Sequence, residues 1–280
     1  MLAIETHGLT RLFDGKPAVQ DLALAVPVGA FYGFLGPNGA GKSTTIKMLT
    51  GLLAATSGRA RVLGVDLGHD GVEVRRRIGV VPDGLSLFER LSGAEQLRIH
   101  GQLYGLDRRE AGRRADELLQ ALELSQDAGK LVGEYSHGMK KKLALGCALI
   151  HGPRLLFLDE PFEGIDAVAV SGIRRMLQDL VARGAMTIFL TSHVLEVVER
   201  LVTHVGIIRQ GRLAVQGTLE EVRGTASLEE VFIRTVGEER PASHGLSWLG
   251  PSPQPSPPVA PALSPSGGEG EGEGGREGGG

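Results

Sequence analysis

The apolar run Phe31-Tyr32-Gly33-Phe34-Leu35 leads directly into Gly36-Pro37-Asn38-Gly39-Ala40-Gly41-Lys42-Ser43-Thr44, and few segments leave a chain less choice of fold. The run reads as a buried strand, and a helix is predicted over Lys42 to Leu49, stopping near Gly51. Gly36 to Ser43 fits G-x-x-x-x-G-K-[ST] with the strand before it and the helix after it that give the pattern its meaning. A polyphosphate packs several negative charges into a small volume. Glycines at 36, 39 and 41 let backbone N–H groups converge on such charges without Cβ clashes, and the helix start adds the positive end of its dipole. Lys42 supplies a mobile cation for the β and γ phosphates, and the Ser43 hydroxyl is placed to ligate Mg²⁺. The loop from Gly36 through Pro37, Asn38, Gly39, Ala40, Gly41, Lys42 and Ser43 to Thr44 is therefore expected to cradle a nucleotide. The plain alternative is a glycine turn ahead of an ordinary helix.

The rest of the body supports an α/β reading. Short strands with turns are predicted over the first 30 residues: Leu2 to Thr6, a turn at Asp14-Gly15, Leu22 to Val26, and a break at Pro27-Val28-Gly29. From about 88 to 150 the sequence turns helical and charged, as in RREAGRRADELLQALEL, with no convincing strand. Strand character returns in Leu155-Leu156-Phe157-Leu158-Asp159-Glu160. A helix follows around Ser171 to Ala182, then a strand at Met186 to Leu190, a helix from Val194 to Val202, and a hairpin of Val205 to Ile208 with Leu213 to Gln216. This alternation predicts a mainly parallel sheet with crossover helices.

Asp159 and Glu160 sit where an apolar strand leaves the core. An isolated pair would read as a solvated strand end. Downstream of the glycine loop, Asp159 suits the Mg²⁺ shell, and Glu160 could polarise the water that attacks a γ-phosphate. His193, beyond the next strand, falls at the same edge and is expected to contact that phosphate.

Composition separates the chain into two parts. The 42 glycines are roughly twice the usual share of about 7%. From Pro241 onward, 11 glycines and 8 of the 14 prolines form a Pro/Ser stretch followed by a Gly/Glu stretch. We expect residues 241–280 to be a disordered tail and residues 1–240 to be one folded domain. The net charge of −3 belongs to that tail, since the body holds 29 basic and 29 acidic residues. A neutral body gives no general attraction for nucleic acid or anionic lipid. The single cysteine, Cys147 in LALGCALI, excludes an intrachain disulfide and reads as a small buried hydrophobe. No apolar run reaches membrane-span length and the N-terminus has no signal pattern, so a cytoplasmic location is expected.

Taken in order, these motifs resemble the ATP-binding subunit of ABC transporters, with the likeness running from about Ile4 to Val236. Its defining segment is Tyr135-Ser136-His137-Gly138-Met139-Lys140, an altered form of the usual LSGGQ. His137 replaces the first Gly of the pair and Met139 the Gln. The resemblance implies a P-loop NTPase core with a mainly parallel sheet, N-terminal antiparallel β strands and a helical insert over about 88–150. It also makes Phe13 the aromatic that stacks on adenine, where a lone Phe would otherwise read as core. Glu163-Gly164-Ile165-Asp166 is similar to the D-loop, with Asp166 communicating across a dimer, and Thr191-Ser192-His193 is similar to the switch-histidine segment. The expected Q-loop glutamine, after Ile78-Gly79-Val80-Val81-Pro82, is here Asp83. That residue could approach Mg²⁺ through water and alter coupling to a partner, or be a simple PDG surface turn.

The resemblance further implies an ATPase with Lys42, Glu160 and His193 as catalytic residues, and a head-to-tail homodimer in which Ser136 and Gly138 of one subunit meet ATP bound by the other. ATP and Mg²⁺ are the implied cofactors. The implied partner is an integral membrane permease, docked near Asp83 and the insert and holding the chain on the inner face of the membrane. Positions 94, 97 and 104 of the insert could face that permease or pack internally. The PDG and YSHGM variants look most like bacterial ABC-2-type exporters. A soluble ABC-type ATPase acting on ribosomes or DNA is the alternative, and it would more naturally carry two ATPase units or a long coiled arm.

Overall fold

The structure is a computed structural model that describes residues 1–184 and 186–237. The tail from Pro241 to Gly280 lies outside the described residues. In chain order the elements are β1 (Leu2–Phe13), β2 (Lys16–Leu22), β3 (Ala25–Pro27), β4 (Phe31–Leu35), α1 (Lys42–Leu49), β5 (Ser57–Val62), β6 (Val65–Asp66), α2 (Leu67–Arg77) and β7 (Ile78–Val81). Then come α3 (Gly93–Leu103), α4 (Arg108–Ala121), α5 (His137–Leu149), β8 (Leu155–Asp159), α6 (Ala167–Ala182), β9 (Thr187–Ser192) and α7 (Leu195–Glu199). The hairpin β10 (His204–Arg209) and β11 (Arg212–Thr218) and the short helices α8 (Leu219–Arg223) and α9 (Leu228–Val236) follow.

Six strands form the main sheet in the order β11-β10-β4-β9-β8-β7. Every pairing in it is parallel except β10 with β11. All residues of β4, β8 and β9 are buried, the pattern of central strands covered on both faces. Alternation then divides the core. Phe31, Leu35, Leu156, Leu158, Ile188 and Leu190 pack in the core that also takes residues from α5 and α6. Tyr32, Phe34, Phe157 and Phe189 face α1 and the N-terminal strands, with the Tyr32 and Phe189 rings stacked at 5.5 Å between centroids. Gly79 is needed where α5 crosses β7, because a Cβ there would lie 2.2 Å from the Ala148 carbonyl oxygen.

The register of the sheet sets several strand exits side by side. Leu35 of β4 pairs with Ser192 of β9, Thr191 of β9 with Asp159 of β8, and Leu158 of β8 with Val81 of β7. The segments starting at Gly36, His193, Glu160 and Pro82 thus leave the sheet side by side, at the carboxyl ends of parallel strands where open α/β sheets bind ligands.

Two expectations change. The N-terminal strands are not all short: β1 extends to Phe13 as the spine of a second sheet ordered β2-β1-β5-β6, with β3 also paired to β1. The expected strand Leu22 to Val26 is replaced by the end of β2 and a separate β3. Asp21 has a left-handed φ of 50°, so the chain steps from one part of β1 to another. Thr6 covers the step: its hydroxyl donates to the Leu22 carbonyl and accepts from the Leu24 N–H, both at 2.8 Å. Helices and short 3-10 turns occupy the insert. Its apolar positions do not form an outward stripe, because Leu97 is fully buried and Ala94 packs against the core. Tyr104 is partly exposed and stacks on His151 at 3.8 Å. Cys147 is buried as expected, and burial pushes its thiol up to about 12. Among the described residues no helix is long and apolar enough to cross a membrane.

Candidate nucleotide site

A cleft of about 450 Å³ opens at that edge, lined by Ala18, Pro37, Asn38, Gly39, Gly41, Lys42, Ser43, Thr44, Asp83, Glu160, Glu163 and His193. Its floor is the glycine loop, and two glycines explain why the loop can sit there. A Cβ at Gly36 would lie 2.5 Å from the Ile208 carbonyl oxygen of β10. Gly41 has φ 107° and would put a Cβ 2.5 Å from the Ala18 carbonyl oxygen of β2. A side chain at either position would push the loop off the sheet. Ala40 turns its side chain into the core instead of the cleft, while its N–H donates to the Pro37 carbonyl and its own carbonyl accepts from Gly211.

Lys42 is 7% exposed. Its ammonium donates to the carbonyls of Gly36 at 2.8 Å and Pro37 at 3.3 Å, and it lies 3.9 Å from Glu160 Oε1. Glu160 in turn holds His193: its Oε2 accepts the His193 backbone N–H at 3.2 Å and stands 3.0 Å from His193 Nδ1. The three expected catalytic residues therefore form one chain, Lys42 to Glu160 to His193. Glu160 has the left-handed φ of 49°, and its backbone N–H points at the Thr191 carbonyl and hydroxyl, both 3.2 Å away. The hydroxyl of Thr191 also donates to Asp159 Oδ1 at 2.6 Å, fixing a carboxylate that is itself 7% exposed.

Ser43, Asp159 and Asp83 offer only hard oxygen donors, which suits Mg²⁺ chemically. Among the described residues no three His, Cys, Asp or Glu side chains cluster closely enough to hold a metal unaided. A cation here would complete its shell with water or phosphate oxygens.

Other expected residues lie off the cleft lining. Phe13 is 45% exposed at the tip of the β1–β2 hairpin, with the Arg11 guanidinium 4.6 Å from its ring centroid. Ser136 caps α5, accepting the Met139 N–H at 3.2 Å. It shares a neighbourhood with the Glu163–Asp166 segment: a Cβ on Gly164 would lie 2.9 Å from the His137 ring, and one on Gly138 would lie 3.8 Å from Ile165. None of Ser136, Gly138 and Asp166 lines the cleft of their own chain. The sequence reading missed Glu163 and Ala18 as lining residues. Glu163 could have been found from its place three residues after Glu160, whereas Ala18 arrives by long-range strand packing and leaves no local signal.

The sequence matches the ABC transporter family over residues 19–163. The bacitracin transport ATP-binding protein BcrA of Bacillus licheniformis is 40% identical over 219 residues, which span 78% of this chain and 69% of BcrA. The daunorubicin/doxorubicin resistance ATP-binding protein DrrA of Streptomyces peucetius is 40% identical over 232 residues, 83% of this chain and 70% of its own. A solved ATP-binding subunit of an ABC transporter superposes with a TM-score of 0.78 at 31% identity, covering 84% of this chain and 99% of the other.

Proposed function

Because the chain belongs to the ABC transporter family, whose ATP-binding domains hydrolyse ATP, we propose that it energises export of a substrate through a separate membrane permease, working as a head-to-tail homodimer. The observation that carries the reading is the division of the site. Lys42, Glu160 and His193 converge on the cleft, while Ser136, Gly138 and Asp166 lie off its lining. Signature residues that do not reach their own nucleotide can serve one held by a second copy.

In this reading the triphosphate lies along the glycine loop, and Lys42 exchanges its carbonyl partners for phosphate oxygens. Mg²⁺, held by Ser43 and Asp159 with Asp83 reaching it through water, would neutralise phosphate charge when bound. Glu160 accepts a proton from the attacking water as oxygen bonds to the γ-phosphorus and the bond to the ADP oxygen breaks. His193 orients the Glu160 carboxylate and faces the γ-phosphate. The Ser136 hydroxyl and the start of α5 close over that phosphate from the partner subunit. Phe13 stacks on adenine with one ring face backed by Arg11.

Names such as bacitracin transport and daunorubicin/doxorubicin resistance among relatives at 40% identity support export. The tagged chain is expected to copurify from solubilised membranes with a multi-span protein that stimulates its ATPase. Cosedimentation with ribosomes in place of membranes would favour the soluble alternative.

Two residues can be tested directly. Phe13→Ala is expected to raise KM for ATP about fivefold with kcat unchanged, since one aromatic–base stack is worth about 1 kcal/mol. An unchanged KM in a phosphate-release assay would remove Phe13 from the site. Asp83→Gln takes one carboxylate from a cleft that also holds Glu160 and Glu163, and should raise the Mg²⁺ concentration for half-maximal hydrolysis about threefold. An identical Mg²⁺ titration would leave Asp83 as a surface turn.

A further inference from the structure

The signature segment continues into three consecutive lysines that look in sequence like a solvated charge run, yet they part company in the structure. Lys140 pairs with Glu89 at 3.2 Å and Lys142 with Glu123 at 3.0 Å, both partners largely exposed. Lys141, between them on α5, turns inward and is 5% exposed. Its ammonium donates to the backbone carbonyl of Glu160 at 2.8 Å.

We propose that Lys141 is a positioning residue for hydrolysis, holding the backbone of Glu160 so that its carboxylate meets the attacking water. Burying an ammonium is unfavourable unless a strong acceptor compensates it, and here the acceptor is the peptide whose geometry the site depends on. Glu160 occupies a left-handed backbone region that disfavours side-chain-bearing residues. That conformation persists because it is held at several points. Thr191 takes the N–H, His193 takes the carboxylate, and Lys141 takes the carbonyl, with the Glu163 N–H at 3.4 Å as a weaker companion. Thr191 and His193 belong to β9 and its exit. Lys141 brings in α5, the helix that Ser136 caps, and so ties the signature helix to the Glu160 backbone of the same chain.

Loss of the ammonium frees the Glu160 peptide to relax toward an ordinary conformation. Displacement of a catalytic group by about 1 Å can cost up to a hundredfold in rate, while the glycine loop that binds ATP is untouched. The inference rests on Glu160 being the general base, and the experiment separates the two. In the purified full chain, Lys141→Met is expected to lower kcat about tenfold with KM for ATP within about twofold. Lys141→Arg, which retains a buried cationic donor, should recover to within about threefold of the parent. In a Glu160→Gln background, Lys141→Met should change the residual rate by less than about twofold, because no base is left to position. If Lys141→Met is too unstable to purify, Lys141→Gln carries the same comparison. A parent-like kcat in Lys141→Met or Lys141→Gln, when Glu160→Gln abolishes turnover, would overturn the positioning role and leave the base assignment standing. Equal losses in the Arg and Met variants would also overturn it. A parent-like rate in Glu160→Gln would instead sink the base assignment.

Discussion

Lys42→Ala is expected to lower ATP hydrolysis at least about a hundredfold and to weaken nucleotide binding. The ammonium is the cation at the centre of the cleft, 2.8 Å from the Gly36 carbonyl and 3.9 Å from Glu160. Fixed cations aimed at the charge that develops on a transferring phosphoryl group are worth several kcal/mol in such sites. Alanine removes that charge and also takes the Lys42 donor from the Gly36 carbonyl, while the Pro37 carbonyl keeps the Ala40 N–H, a fold cost of about 1–3 kcal/mol. The two effects separate by measurement. Phosphate release and nucleotide titration report the site, and a thermal melt reports the loop. Lys42→Arg should also fail, because a planar guanidinium does not fit where the 7%-exposed ammonium sits. A Lys42→Ala chain that retains more than a tenth of the parent's turnover would mean that phosphate is held elsewhere.

The parallel sheet and its edge were readable because their signals are local. Each central strand has an apolar run at its centre, and each of these candidate residues follows its strand directly: Gly36 after Leu35, Glu160 after Asp159, His193 after Ser192. The register then needs no further information to bring them together. The N-terminal sheet was less readable because β1 also pairs with the distant β5, Ile4 opposite Val62 and Thr10 opposite Ser57. Neither the left-handed Asp21 nor the Thr6 hydroxyl that bridges Leu22 and Leu24 announces itself in local pattern. Lys141 shows the same limit at the site. Three adjacent lysines on a helix point about 100° apart, and only packing decides which turns inward.

Glu160→Gln is expected to cut kcat about a hundredfold or more while leaving ATP affinity intact, and the chain should then elute as a stable dimer when ATP and Mg²⁺ are present. An amide has the size of the carboxylate and can still meet His193, so the arrangement around Oε2 should survive. What it lacks is a basic oxygen to take the water's proton. It also lacks a negative charge in a cleft that must receive a triphosphate beside Asp83 and Glu163. Removing one of those charges lowers the repulsion that opposes closure, and blocking hydrolysis removes the step that would reopen it. Size-exclusion chromatography with light scattering should therefore show the monomer mass without nucleotide and twice that mass with ATP. ADP should not substitute, since Ser136 and the start of α5 would close on the γ-phosphate. Turnover within tenfold of the parent would assign the base elsewhere. A variant that binds ATP, does not hydrolyse it and stays monomeric would keep the chemistry at Glu160 but deny that two copies share the site, leaving Ser136 and Gly138 without a nucleotide to act on.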